Sequence, residues 1–231
     1  METLKIFIGY DPKEAVAFHT LAHSILFYAS VPVSITPVNL KNLKGIYKRQ
    51  HDNRQSNTFS FSRFLVPYLS GYEGLALFLD CDMMLRCDVK ELFDNANPKH
   101  AVQVVKHDYS SKVSTKYLGT KQYNYPRKNW SSVILWNCAH PKNKNVDLDY
   151  VAKADAATLH RFLWLNDEEI GELDVRWNWL VGEYDNPPKD VKNVHWTLGG
   201  PYFKEYTDVD FADEWRDCFS QITYCAQLDE N

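Results

Sequence analysis

The apolar run Leu75-Ala76-Leu77-Phe78-Leu79 passes without a turn residue into Asp80-Cys81-Asp82, and from there directly into Met83-Met84-Leu85. A continuous apolar run of this length reads as a buried strand, so two carboxylates stand where a buried strand ends. Desolvating two neighbouring like charges is costly. The placement makes sense chiefly where a cation, with an anionic ligand on it, neutralises them. The spacing alone does not single out this pair, because Asp147/Asp149 and Asp208/Asp210 repeat it in polar sequence that reads as solvated loop or helix start. Context separates the first pair from the other two.

The N-terminal sequence supplies a fold for such a strand. Leu4 to Gly9 is a short β-rich run. From Pro12 the apolar positions Ala15, Phe18, Ala22, Ile25, Leu26 and Ala29 recur at helical spacing, with Pro12 suited to a first helical turn. Val33 to Val38 reads as a second strand, which makes a β-α-β unit and predicts a parallel sheet with a right-handed crossover. Residues 41 to 58 read as a polar loop before a helix over Ser60 to Leu69 that carries Arg63. Ala101 to Lys106 and Ser131 to Asn137 read as further strands, Val191 to Trp196 as the last one, and Asp210 to Cys225 as a terminal helix. Between them, Asp108 to Asn129 is a long polar segment rich in Lys and Tyr, and helical pieces are expected through about residue 163. The fold class is α/β, with a mostly parallel central sheet flanked by helices. Gly-x-Gly-x-x-Gly and the P-loop are both absent, so the usual dinucleotide and Walker readings lose their main support.

At 231 residues the chain suits a single α/β domain spanning 1–231. A net charge of −4, without a long Lys/Arg block, argues against a nucleic-acid partner. The N-terminus reaches strand-like sequence at once, with no secretory leader visible, and no apolar stretch approaches the roughly 20 residues of a membrane span. Five cysteines without C-x-x-C spacing argue against a disulfide framework or a zinc knuckle and fit a reducing cytoplasm.

A metal on Asp80 and Asp82 needs further ligands, and the candidate is His195, at the end of the last strand in Val194-His195-Trp196-Thr197-Leu198-Gly199-Gly200-Pro201. Two carboxylates and an imidazole suit Mn²⁺ well and Mg²⁺ acceptably, and leave positions open for phosphate oxygens. Zinc with a water competes, and a core or capping histidine is the plain alternative. Gly199 and Gly200 offer backbone N–H groups for an anion nest. Arg63 can bind a diphosphate or sugar hydroxyl, neutralise Asp80, or make a surface salt bridge. Tyr10 and Asp11 occupy the strand edge where open α/β sheets bind ligands and can hold a base, while a plain turn with Asp11 as helix N-cap explains them equally. The seven tryptophans read first as core, with sugar stacking a second use near the long loop.

In this order the residues resemble the GT-A fold glycosyltransferases, most closely family 8 and its bacterial or phage relatives. Phe61-Ser62-Arg63-Phe64 is similar to that family's Y-x-R-F/L helix, Leu77-Phe78-Leu79-Asp80-Cys81-Asp82 to its L-Y-L-D-x-D, and Asp88-Val89-Lys90-Glu91-Leu92-Phe93 to D-[ILV]-x-E-L-[FW]. Trp130 to Asn137 resembles N-S-G-V-M-L-[IFW]-N, Leu173 to Asn178 resembles L-x-x-x-W-N, and His195 to Tyr202 resembles H-[FY]-x-G-x-x-K-P-W. The sequence departs from the pattern at three places. Trp130 replaces the first Asn, with Asn129 beside it. Gly200 stands where the lysine is expected, which passes diphosphate neutralisation to Lys204, Arg63 or the metal. The acidic D-Q-D segment is represented only by Asn166-Asp167-Glu168-Glu169.

The resemblance implies a metal-dependent transferase that takes a sugar from a nucleotide-diphosphate donor, a UDP-hexose by family expectation. The acceptor is a saccharide, lipid-linked glycan or protein, and anomeric configuration is retained. Residues 1–100 form the nucleotide-sugar half, and 101–231 form the acceptor half with the C-terminal metal and phosphate motif. Asp82 and His195 ligate the cation, Asp80 ligates it or contacts the donor, and Asp167, Glu168 and Asn129 are the candidate catalytic residues. Lys106, His107 and Asp108 are acceptor-side candidates or a polar strand end. The rival readings are a metal-dependent phosphohydrolase or nucleotidyltransferase, and a non-catalytic carbohydrate-binding scaffold.

Overall fold

The structure is a computed structural model that describes residues 3–49, 55, 57–121 and 124–223. The first strand, β1 (Leu4–Tyr10), ends in a 3-10 turn over Pro12–Glu14 that leads into α1 (Ala15–Tyr28), and the chain returns as β2 (Val33–Asn39). β1 and β2 run parallel from Leu4 opposite Val33 to Tyr10 opposite Asn39, as a β-α-β unit requires. Gly9 is obligatory in β1, since a Cβ there would lie 2.3 Å from the buried Phe59 ring.

The helix expected over 60–69 is divided into a 3-10 turn, Ser62–Leu65, and a single α-turn, α2 (Val66–Leu69). Pro67 has no N–H to give to the carbonyl four residues back, so one continuous ladder cannot pass through it. β3 (Leu75–Leu79) lies parallel to β1, and β4 (Met83–Leu85) follows two carboxylates later in a different sheet. Next come α3 (Lys90–Asp94), β5 (Val102–Val104), the short hairpin β6 (Thr115–Lys116) and β7 (Thr120–Lys121), and β8 (Val133–Asn137). The rest comprises α4 (Leu148–Lys153), α5 (Ala156–His160), β9 (Ile170–Glu172), β10 (Trp179–Leu180), β11 (Asn193–His195) and α6 (Ala212–Thr223). The portion of the expected terminal helix beyond Thr223, with Cys225, lies outside the described residues.

The six-stranded sheet has the order β2-β1-β3-β8-β5-β9, and only β8 runs against the others. β3 and β8 are buried along most of their length, which accounts for the unbroken apolar character of Leu75–Leu79 and Val133–Trp136. A smaller sheet, β10-β11-β4, packs with α6 around Met84, Trp179, Val194, Trp196 and Trp215. Among the described residues no helix is long and apolar enough to cross a membrane, and Cys81, Cys87, Cys138 and Cys218 are free thiols.

Candidate active site

Asp80 and Asp82 sit where the chain leaves the large sheet for the small one. The Asp80 N–H donates to the Ser132 carbonyl (3.0 Å) at the adjoining end of β8. Beyond Asp82, β4 pairs antiparallel with β11, with His195 opposite Met83, and the Trp196 N–H donates to the Asp82 carbonyl (3.0 Å). That pairing brings a histidine 113 positions away into contact with the acidic pair, and ligand atoms of Asp80, Asp82 and His195 all lie within 4.8 Å of one another. Among the described residues this is the one group of three or more His, Cys, Asp or Glu able to hold a metal ion.

Asp80 and His195 are each oriented by a buried neighbour. Arg63 Nη1 lies 2.7 Å from Asp80 Oδ1 and also donates to the Ser131 carbonyl (2.8 Å), whose own hydroxyl is 2.8 Å from His160 Nδ1. His195 is held through a chain of defined polarity. Ser132 Oγ donates to the Asn129 carbonyl (2.7 Å) and so accepts from Asn178 Nδ2 (2.8 Å). That leaves Asn178 Oδ1 as acceptor for His195 Nδ1–H (2.8 Å), and the Nε2 lone pair faces Asp82.

The arrangement fits a divalent cation. Asp82 Oδ1 is buried without a hydrogen-bond donor, and the nearest polar atom of the triad is the Nε2 acceptor 3.4 Å away. Two lone pairs facing each other in a dry site repel unless a cation lies between them. Burial, with the neighbouring Asp82 charge, lifts the Asp80 carboxyl to about 6 against the pull of Arg63. Burial acts on Asp82 too, but positive charge, on a protonated His195 and on the Lys116 ammonium, outweighs it and holds the carboxyl below its usual value.

Replacing Asn178 with leucine is expected to weaken Mn²⁺ binding about 10–100-fold, whereas Asn178→Asp, which keeps the acceptor on Nδ1–H, retains most of the affinity. Calorimetric titration with Mn²⁺ checks this, and equal affinity in the leucine variant would remove the orienting role.

The triad opens into a cavity of about 360 Å³ that also contains Arg63 and Asn129. Sequence reasoning missed much of the remaining lining: Lys116, Tyr117, Tyr125, Lys128, His160 and Arg161. Four of these lie in the long Lys- and Tyr-rich segment over 108–129, whose length and composition were the available signal. Phe61, Tyr117 and Tyr125 supply the aromatic lining, and no tryptophan contributes to it among the described residues. Five of the seven tryptophans are buried in the two cores.

The other candidates lie elsewhere. Asp11 caps the turn after β1, accepting from Lys13 N (3.0 Å) and Thr58 N (2.9 Å), and the Tyr10 ring packs edge-on to Phe18. The Gly199 N–H donates to the Trp196 carbonyl (2.9 Å), and the space beside Gly199, whose φ is +148°, is filled by the Tyr206 ring, while Tyr202 fills that beside Gly200. Lys204 and Glu168 are exposed, and Asp167, also exposed, pairs with Arg127. Lys106 lies over the Trp130 ring, Asp108 is exposed, and His107 Nδ1 meets the Tyr184 hydroxyl (2.7 Å).

Glu14, unremarked in the sequence, is a third buried carboxylate near the pair. It accepts from Tyr117 Oη (2.8 Å) and Tyr202 Oη (2.7 Å), tying the start of α1 to the 115–121 hairpin and the segment after β11. Burial and the Asp82 charge raise its carboxyl to about 7 despite the two hydroxyl donors. Between pH 4.5 and 7 the folded state therefore binds more protons than the unfolded state, so stability falls as pH rises through that window and levels off above it. Glu14→Gln is expected to flatten this slope and to stabilise the metal-free protein at pH 8, the full linkage being on the order of 3 kcal/mol. Urea unfolding from pH 5 to 8 measures it, and parallel profiles for the two proteins would exclude the assignment.

No family model matches the chain. It is 48% identical over 217 residues to Protein CDI of Arabidopsis thaliana, covering 91% of this chain and 84% of that protein. Among solved structures it is similar to the WbbM bifunctional glycosyltransferase (TM-score 0.61, 18% identity, 95% of this chain and 50% of that chain). It is also similar to the galactosyltransferase LgtC in complex with donor and acceptor sugar analogues (0.60, 11%, 97% and 98%) and to the glycosyltransferase GlyE of Streptococcus pneumoniae TIGR4 (0.64, 12%, 99% and 61%). The chain thus spans half of WbbM, less than two thirds of GlyE and nearly all of LgtC. The fold is the GT-A glycosyltransferase fold.

Proposed function

This chain belongs to the family of Protein CDI of Arabidopsis thaliana, and we propose that it is a metal-dependent glycosyltransferase. In this reading it moves a sugar from a nucleotide-diphosphate donor, a UDP-hexose, to a saccharide, lipid-linked glycan or protein acceptor. The transfer is of the retaining type that family 8 exemplifies. One domain over 1–231 does the work, with the donor held mainly by its first half and the acceptor by its second.

The observation that carries this reading is the buried Asp80–Asp82–His195 group opening into a cavity that also holds Arg63, Lys116 and Lys128. Asp82 and His195 hold Mn²⁺ or Mg²⁺, with Asp80 as third ligand or as donor contact. A divalent cation there supplies Lewis acidity to the phosphate oxygens as the glycosidic bond breaks. Arg63 keeps Asp80 aimed at the cavity, Asn178 keeps the His195 Nε2 lone pair turned to it, and the buried setting strengthens the attraction of cationic groups for the departing diphosphate. Asn129, on the cavity wall, is the remaining candidate for contact with the transferred sugar. A two-metal hydrolase or nucleotidyltransferase needs further carboxylates clustered with the pair, and among the described residues the candidate metal group is limited to Asp80, Asp82 and His195.

A thermal-shift panel of nucleoside diphosphates and nucleotide-sugars, each with Mn²⁺, Mg²⁺ or EDTA, tests the proposal. Stabilisation by one nucleotide series that needs a divalent cation, with sugar release from the intact donor, supports it and identifies the base. Absence of any nucleotide response under every metal condition removes the donor site.

A further inference from the structure

The segment Arg127-Lys128-Asn129 carries an unusual backbone. Arg127 and Asn129 both have left-handed φ values, 59° and 61°, which residues with a Cβ rarely adopt. Each is anchored by its side chain. The Arg127 guanidinium pairs with Asp167 and donates to the Arg161 carbonyl (2.6 Å), while Asn129 Nδ2 donates to the Tyr109 hydroxyl (2.7 Å). Held between them, Lys128 lines the cavity at 5% exposure, and its Nζ has no hydrogen-bond partner. The Tyr109 ring, 5.4 Å from Nζ, gives it a π face but satisfies none of its three N–H donors.

Lys116 lines the same cavity, near enough to Asp82, Asp80 and Glu14 to feel their charges. It also repels Lys128, whose ammonium is pushed below its ordinary range by burial and by this like charge, against the attraction of Glu183. A buried, donor-rich cation beside a second cation is costly unless a bound anion completes it.

We propose that Lys116 and Lys128 form an anion subsite that takes phosphoryl oxygens beside the Asp80–Asp82–His195 group. The assignment rests on the donor reading above and locates leaving-group neutralisation on the loop between β5 and β8. Among the described residues the C-terminal segment brings no lysine to the cavity, its Lys204 being exposed and outside the lining. Lysine suits the task because its ammonium acts as a point charge with three rotatable donors on a flexible stem.

Calorimetric titration of the full chain with inorganic pyrophosphate in the presence of Mn²⁺ tests the subsite, comparing wild type with Lys116→Gln, Lys128→Gln and Lys128→Arg. Each glutamine variant is expected to lose at least about tenfold in pyrophosphate affinity, the equivalent of one charge-assisted hydrogen bond. Lys128→Arg keeps most of it, and Mn²⁺ alone binds as well or more tightly once a positive charge is removed. A parallel loss of UDP affinity identifies the ligand as the donor's diphosphate. Unchanged UDP affinity with weakened pyrophosphate binding removes the leaving-group role and overturns the assignment to the donor's diphosphate.

Pyrophosphate affinity unchanged in both glutamine variants, or no pyrophosphate binding by wild type, overturns the proposal. A drop in melting temperature without a change in pyrophosphate affinity also does so, since it marks Lys128 as a packing residue against Tyr109. Failure of the transferase reading has a different signature: pyrophosphate binding that depends on the lysines, with no nucleotide-sugar bound under any metal condition.

Discussion

Replacing Arg63 with methionine is expected to cost about 3–5 kcal/mol of folding stability in metal-free protein at neutral pH. Arg63 is almost wholly buried, and its Nη1 contacts both the Asp80 carboxylate and the Ser131 carbonyl. Methionine refills much of the volume against Phe59 and Phe78, which flank the guanidinium at 5.3 and 5.2 Å, but it leaves Asp80 unpaired, so that its buried carboxyl must carry an uncompensated charge or take up a proton. Two conditions should shrink the deficit. A divalent cation that takes Asp80 as a ligand supplies the missing positive charge, so it should bind the variant more tightly than wild type and stabilise the variant more at the same concentration. Acidification protonates Asp80, and a neutral carboxyl no longer needs the arginine. Urea unfolding of wild type and Arg63→Met, in EDTA and in Mn²⁺ at pH 5 and 7.5, gives all four values. A deficit that is the same in every condition would mean that Arg63 acts through packing alone and that Asp80 does not face the cation.

Asp82→Asn and His195→Ala are expected to abolish the metal-dependent thermal shift and to lower sugar transfer by about a thousandfold or more. That factor corresponds to the several kcal/mol that a fixed cation contributes to a developing diphosphate charge. Asparagine preserves the shape of Asp82 and its backbone acceptor for Trp196 N–H, so the loss reports ligation rather than folding. In the wild type, metal affinity should fall as pH drops through about 6, because burial raises Asp80 to that value and protons then compete with the cation. Stability of the metal-free protein moves the opposite way. A carboxyl whose folded pKa is raised binds protons more tightly in the native state, so Asp80 favours folding on acidification from pH 6 towards 4. Mn²⁺ titrations and unfolding curves across pH 5 to 8 separate the two trends. Metal affinity that does not change with pH, or a thermal shift that survives both substitutions, would sink the ligand assignment.

Much of the fold was legible in the residues because burial on both faces leaves a continuous apolar signature. Leu75–Leu79, Val102–Val104 and Val133–Trp136 all read as strands for that reason, and the unit of β1, α1 and β2 followed from β-rich runs on either side of a segment with helical apolar spacing. Short elements with mixed exposure did not announce themselves. Trp179–Leu180 and Ile170–Glu172 are two- and three-residue strands that exist because a neighbour offers them a ladder. The division of the 60–69 helix at Pro67 was written in the sequence but outweighed there by its apolar spacing.

By itself the sequence determined that a buried strand ends in Asp80 and Asp82, that a mostly parallel α/β sheet surrounds it, and that a histidine and an arginine stood available as partners. These are consequences of local pattern and of the cost of burying charge. Only the tertiary structure decided which atoms meet. The antiparallel register of β4 and β11 seats His195 against Asp82, and the Asn129–Ser132–Asn178 relay selects the imidazole tautomer. Two left-handed residues, stitched to Asp167, Arg161 and Tyr109, set Lys128 in the cavity wall. None of these contacts joins chain neighbours through a repeating pattern. Each depends on a pairing register or on a backbone conformation that the rest of the fold must hold in place, and neither leaves a periodic mark in the order of the residues.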